Sequence, residues 1–315
     1  MVVILLMSLL ASLTTGCPSP ENIHPCTCDR PSYDGNAYVT CANLDNDQDL
    51  VKAANSLVRK SDIYSFVIEN SVFTYIPSDA FKGVAFIELE IKDTSFMALT
   101  DTDVAFEGLE DHLEILLMTN CTIMSDWDWT LFRNLKKLTT LDIVGVNLEN
   151  LEDLETINIT SIIKIAFSHN RISFIHPSAF SNFKELRLLS LDNNFISVVK
   201  RSMLPNPALE LTDLDLSYNE IEDLPSDIFS NMPQLEYLSI GFNKILVLEE
   251  KTFSPVWEKL QAFSAFGNDL RCDCRLTWIL EKMYPRDLRA VCSQPPEAKG
   301  KNLRDLASKD LWCFH

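Results

Sequence analysis

The sequence predicts an α/β solenoid, a horseshoe of about nine repeats with a parallel concave sheet and a disulfide cap at each end. Three observations predict it. A block with apolar residues at positions one, four and six, and most often asparagine at position nine, recurs through the chain. Its starts fall at Ile63, Phe86, Leu113, Leu138, Ile162, Leu186, Leu211, Leu235 and Leu260, which are 23, 27, 25, 24, 24, 25, 24 and 25 residues apart. Eight of the nine cysteines lie outside these repeats, four before them and four after.

The chain opens with an apolar run, Met1 to Leu13, followed by Thr14-Thr15-Gly16. Residues 1–16 therefore read as a secretory signal peptide, with small residues before the cut. Gly16-Cys17 is also the final pair of a bacterial lipoprotein signal, but Thr14 stands where that box has leucine. No second apolar run reaches the roughly 20 residues of a membrane span, and the C-terminus carries no GPI signal. The expectation is a secreted, extracellular protein with no membrane span or anchor.

Residues 17–62 form a cysteine-rich N-terminal cap holding Cys17, Cys26, Cys28 and Cys41, and residues 271–315 a C-terminal cap holding Cys272, Cys274, Cys292 and Cys313. The end turns of a solenoid expose apolar edges, and a short flanking segment has too little core to cover them unstapled. Spacing alone leaves three connectivities for each set of four. Zinc is disfavoured by the secretory signal.

Residues 63–270 hold the repeats. In Leu211-Thr212-Asp213-Leu214-Asp215-Leu216 apolar and polar residues alternate, as a short strand with one buried face requires. Asn170, Asn194, Asn219, Asn243 and Asn268 occupy position nine of the last five repeats, where a buried amide can bond backbone groups of adjacent turns. This is the pattern of a leucine-rich repeat. The first four repeats carry Ser71, Thr94, Cys121 and Val146 there, and Val146 is expected to leave a gap in the ladder. Phe81, Phe106, Phe132, Phe180, Phe229 and Phe253 are expected to stack as a spine on the convex side. Cys121, the ninth cysteine, takes the buried ladder slot of the third repeat rather than serving as an intermolecular crosslink.

The same register aims positions three, five and seven at the concave face. Its centre is Val67, Glu90, Leu117, Asp142, Ala166, Ser190, Asp215, Ser239 and Ser264, with flanks including Glu69, Glu88, Lys92, Ile115, Lys164 and Leu188. Two features stand out. Asp192, Asp213 and Asp215 form an acidic spot, and Tyr218, Tyr237, Phe242 and Phe266 bring aromatic rings beside it. Exposed aromatics next to charge have the composition of a protein-binding hot spot, although Tyr218, Phe242 and Phe266 could equally pack on each other to support the turn. The candidate contact residues are Asp192, Asp213, Asp215, Tyr218, Tyr237 and Phe242.

The chain carries 45 acidic and 27 basic residues, net −18, which disfavours nucleic acid, heparin and anionic membranes as partners. Residues 271–315 are net +3, leaving −21 on the remainder. Two glycosylation sequons occur, at Asn120 on the concave rim and at Asn158 on the outer side. There is no phosphate loop, no metal-spaced histidine pair and no serine nucleophile elbow. Asp213 and Asp215 would sit solvated on an open sheet rather than converge in a pocket, so no enzyme activity, cofactor or metal is expected.

The segment Cys17-Pro-Ser-Pro-Glu-Asn-Ile-His-Pro-Cys26-Thr-Cys28 resembles the N-terminal cap of extracellular leucine-rich repeat proteins, and Asn268-Asp-Leu-Arg-Cys272-Asp-Cys274-Arg-Leu-Thr-Trp278 is similar to their C-terminal cap. The resemblance implies first-to-third and second-to-fourth pairing: Cys17 with Cys28, Cys26 with Cys41, Cys272 with Cys292, and Cys274 with Cys313. More narrowly, the Cys-Pro-x-x-Glu-x-Ile-x-Pro-Cys-Thr-Cys phrase and the acidic nine-repeat domain resemble an arthropod group named after the non-catalytic subunit of Oplophorus-luciferin 2-monooxygenase. That resemblance implies a secreted, non-catalytic binding module, an accessory subunit whose partner is another extracellular protein. A self-associating matrix or cuticle component, and a subunit with oxygenase activity of its own, are the alternatives.

Overall fold

A computed structural model describes residues 16–30, 35–58, 60 and 62–313. The predicted signal peptide, but for Gly16, lies outside the described residues.

A twelve-stranded sheet runs the length of the molecule. Nine strands come from the repeats, and the caps add three more: Thr27–Asp29 and Ala37–Ala42 at one end and Asp287–Arg289 at the other. Only the first pair is antiparallel; every later pairing in the sheet is parallel. The caps therefore continue the sheet rather than merely cover its edges, which extends the nine-strand expectation. Ala37–Ala42 alternates buried and half-buried residues like the strands it joins.

Positions one, four and six form the core: Leu211, Leu214 and Leu216 are buried, as are their equivalents in the neighbouring turns. Strand length follows position nine. Where Ser71, Thr94, Cys121 or Val146 stands there, the strand runs to position seven, as in Glu88–Lys92 and Thr140–Val144. Where asparagine stands there, it stops at position five, as in Leu188–Ser190 and Asp213–Asp215. The asparagine amide bonds the carbonyls of positions six and seven in its own repeat, as Asn219 does with Leu216 at 3.2 Å and Ser217 at 3.1 Å, and so turns the chain off the strand.

The ladder is built rung by rung. Asn219 Nδ2 also donates to the Leu191 carbonyl of the preceding repeat at 2.9 Å, and its Oδ1 accepts from the Ile196 N–H at 3.0 Å. Asn194, Asn243 and Asn268 repeat the arrangement. Shorter groups cover less: Ser71 Oγ accepts from Leu44 N–H and donates to the Glu69 carbonyl, and the Cys121 thiol donates to the Ile91 carbonyl at 3.3 Å. Asn170 serves the fourth repeat, accepting from both Val146 and Leu148 N–H. Val146 itself returns nothing to the third repeat, so the ladder lacks one rung there.

The phenylalanine spine is real but interrupted. Phe81, Phe106 and Phe132 follow one another at 6.2 and 6.3 Å between ring centres, and Phe229 meets Phe253 at 5.5 Å. Phe180 touches Phe183 instead of a neighbour in the column. The fourth and sixth repeats fill the same layer with aliphatic side chains, Leu154 and Ile157 in one and Met203 and Leu204 in the other. The sixth also buries Arg201, whose guanidinium bonds the Ser230 and Pro205 carbonyls at 2.8 Å each.

The caps close both ends. In the N-terminal cap, Cys17 is joined to Cys28 and Cys26 to Cys41, and the helix Asp47–Ser56 buries Leu50, Ala53 and Ala54. Asn46 starts that helix by accepting the Asp49 N–H at 3.0 Å. In the C-terminal cap, Cys272 is joined to Cys292 and Cys274 to Cys313. Trp278 anchors it, donating its indole N–H to the Leu248 carbonyl at 3.1 Å and packing edge-on against Trp257. Cys121 is unpaired and buried.

Candidate protein-binding surface

Strand register builds the concave face from side chains two residues apart. Val67, Glu90, Leu117, Asp142, Ala166, Ser190, Asp215, Ser239 and Ser264 lie directly opposite one another across successive strands. The column continues into the caps through Thr40 and Arg289. Two members are more enclosed than an outward position implies: Val67 is 9 % exposed and Ala166 is buried, because short side chains are shaded by longer neighbours.

The two halves of this face differ in how charge is met. In the N-terminal half Lys92 Nζ lies 2.9 Å from Glu69 and 3.9 Å from Glu90, and Lys164 lies 2.9 Å from Asp142. The Glu69 hydrogen bond raises the Lys92 pKa, overcoming the opposing effect of burial. In the C-terminal half the carboxylates are met mainly by hydroxyls. Asp213 accepts from Thr212 Oγ1 at 2.6 Å, and Asp215 accepts from Ser217 Oγ at 2.6 Å and its N–H at 2.8 Å. Asp192 accepts from Ser168 at 2.5 Å, Ser190 at 2.6 Å and Asn193 at 2.7 Å. Burial disfavours its ionised form, yet these bonds and nearby His169 outweigh burial and hold its pKa below the usual carboxylate value.

Asp213, Asp215 and Tyr237 line a shallow dish of about 340 Å³, floored by Ser190, Ser239 and Ser264. Tyr237 pairs directly with Asp213 and is 47 % exposed. Tyr218 and Phe242 stand at position eight, on the rim, with stacked rings 4.2 Å apart, and Phe266 meets Phe242 edge-on at 5.6 Å. All three remain between 41 and 49 % exposed, so they pack on each other and still present one side to solvent. Position eight is left-handed in every repeat: Asn70, Asp93, Asn120, Gly145, His169, Asn193 and Gly267 share it with Tyr218 at φ 53° and Phe242 at φ 51°. Asp192 lies one repeat away, in its own hydroxyl cradle.

Two residues of the dish were missed by the repeat register. Asp287 and Arg289, paired at 3.0 Å, come from the cap strand. The signal was present: Asp287-Leu288-Arg289 alternates polar and apolar residues 25 residues after Ala262. Among the described residues no group of three or more His, Cys, Asp or Glu is placed to hold a metal. Asn120 is exposed on the rim and donates to Asp93 at 3.3 Å, while Asn158 is exposed in the fourth repeat.

Comparison with known proteins agrees with this geometry. A family profile described as "Leucine rich repeat" matches residues 136–196 and 209–270, and one described as "Leucine rich repeat C-terminal domain" matches 289–313. The chain is a capped leucine-rich repeat protein. It is similar to the Oplophorus-luciferin 2-monooxygenase non-catalytic subunit of Oplophorus gracilirostris, at 21 % identity over 96 % of this chain and 89 % of that one. It is also similar to lumican of Gallus gallus, at 30 % identity over 39 % of this chain and 34 % of lumican. Among solved structures it superposes with a TM-score of 0.62 and 19 % identity, over 94 % of this chain and 100 % of the other, on a chain of the octameric complex of Latrophilin 3, Unc5D and FLRT2 (LRR), a likeness of fold. The family matches are to repeats and their C-terminal domain, and the relative aligned over most of the chain is named as a non-catalytic subunit.

Proposed function

We propose that this chain is a secreted, non-catalytic protein-binding module that holds another extracellular protein on the C-terminal half of its concave face, as an accessory subunit of an extracellular complex. The observation that carries the reading is the dish beside an exposed aromatic rim, Asp213, Asp215 and Tyr237 next to Tyr218 and Phe242. A rigid, hydrogen-bonded sheet presents these groups without ordering cost, which favours binding. Four disulfides fit an oxidising compartment, and among the described residues no helix is long and apolar enough to cross a membrane. The name of the full-length relative supports the accessory role. Domain limits follow as 1–16 for the signal, 17–62 and 271–315 for the caps and 63–270 for the repeats. N-glycans belong to this reading at Asn158, where the side chain is free on the outer surface, and at Asn120.

The test is capture of a partner from the fluid into which the protein is secreted. Wild-type chain retains one specific protein, and replacement of Asp213, Asp215 and Tyr237 together by alanine releases it. Unchanged capture by the triple variant would remove the dish from the binding surface.

A further inference from the structure

The charges of the concave face narrow what the dish accepts. Glu69 and Asp142 are ion-paired with Lys92 and Lys164, Glu90 shares Lys92 at 3.9 Å, and Asp287 is paired with Arg289. Asp213 and Asp215 have hydroxyl partners but, among the described residues, no ion pair with a basic residue. They project from one face of a single strand, two residues and therefore about 7 Å apart. Tyr237 stands opposite Asp213 on the next strand, half-exposed. A carboxylate pair with an aromatic face beside it is complementary to a planar guanidinium, which donates to two carboxylates through its forked N–H groups and stacks on a ring. A lysine ammonium, a compact and strongly hydrated charge, uses the pair less well and the ring less well.

Resting on the reading of the dish as a protein-binding surface, we infer that its occupant is a basic segment of the partner protein that seats an arginine side chain between Asp213 and Asp215 against Tyr237. The net charge of −21 on residues 1–270 draws such a segment toward the concave face. The equivalent pair in the second repeat, Glu88 and Glu90, has Lys92 3.9 Å from Glu90, and Glu88 is flanked by Ser65 and Ile115 rather than by an aromatic ring. The rim stack of Tyr218 and Phe242 lies beside the seat and takes the apolar stem of the same segment.

The probe is a short fluorescein-labelled peptide alternating Arg and Ser, compared with its Lys and Glu counterparts by fluorescence anisotropy at physiological salt. The Arg peptide binds wild-type chain several-fold more tightly than the Lys peptide, and the Glu peptide does not bind. D213N/D215N weakens the Arg peptide at least tenfold, and Y237L removes most of the preference for Arg over Lys. Removing two carboxylates from the exposed outer flank, E222Q/D223N, leaves binding unchanged. Equal affinity for Arg and Lys peptides on wild-type chain, a comparison that needs no variant, would overturn the inference, as would equal binding by D213N/D215N and E222Q/D223N. Native partner captured in a dish-dependent way while the Arg peptide fails to bind discards this inference alone. Capture that survives loss of the dish discards the reading beneath it.

Discussion

Asn219→Ala removes one rung from the asparagine ladder and tests the principle by which the repeats are joined. The buried Asn219 amide donates to the Leu191, Leu216 and Ser217 carbonyls and accepts the Ile196 N–H, all between 2.9 and 3.2 Å. Alanine fills none of these roles, so the Ile196 N–H loses its partner inside the core. An orphaned buried donor costs about 1 to 3 kcal/mol, and the three carbonyls each keep another donor, Asn194 on Leu191, Asn243 on Leu216 and the Asn193 N–H on Ser217, so the total is roughly 2 kcal/mol. In a solenoid each turn contacts only its neighbours, so the loss falls on the interfaces either side of the seventh repeat. Urea unfolding followed by circular dichroism measures it. Ser71→Ala, which breaks two bonds rather than four, provides the comparison and loses about 1 kcal/mol. A loss below about 1 kcal/mol for Asn219→Ala, or one no larger than for Ser71→Ala, would refute the assignment of the ladder as a principal tie between turns.

Three further outcomes follow from the structure. The folded-state pKa of Asp192 lies below its unfolded value, so its contribution is fully present above about pH 4 and is lost as pH falls through the folded value. Asp192→Asn therefore lowers the melting temperature at neutral pH, and the gap from wild type closes in scans taken below that range. Burial pushes the Cys121 thiol up to about 11, and the group is enclosed, so iodoacetamide leaves it unmodified in native protein and alkylates it after denaturation, read by mass spectrometry. Replacing Cys272 and Cys292 together by alanine costs about 2 to 5 kcal/mol and frays the C-terminal cap first, visible as loss of amide protection in Asp287–Arg289 before the central repeats.

Much of the fold was legible because the repeat imposes two strict periods at once. Alternation within Leu211 to Leu216 fixed which side chains enter the core, and the return of asparagine every 24 or 25 residues fixed the register between turns. The concave column from Val67 to Ser264 followed from those two facts alone. What escaped was set by neighbours outside the pattern. The cap strands lack the apolar block, yet pair with the end repeats because an open parallel edge offers unpaired N–H and C=O groups. The break in the phenylalanine column at Met203, and the buried Arg201 of the same repeat, are announced by no period. At the candidate site, the sequence placed Asp213 and Asp215 together but could not show that Ser168 joins Ser190 in cradling Asp192, since the Ser168 contact crosses from the preceding repeat. Nor could it choose between packing and display for Tyr218 and Phe242, whose rings do both.

Hydrogen–deuterium exchange of the chain with and without its captured partner tests the central claim most directly. Exchange slows at the concave strands from Leu188–Ser190 through Asp287–Arg289 and at the rim around Tyr218 and Phe242, with the outer flank around Phe174 and Phe195 unchanged. Protection confined to that outer flank, with the C-terminal concave strands exchanging as in the free chain, would contradict it.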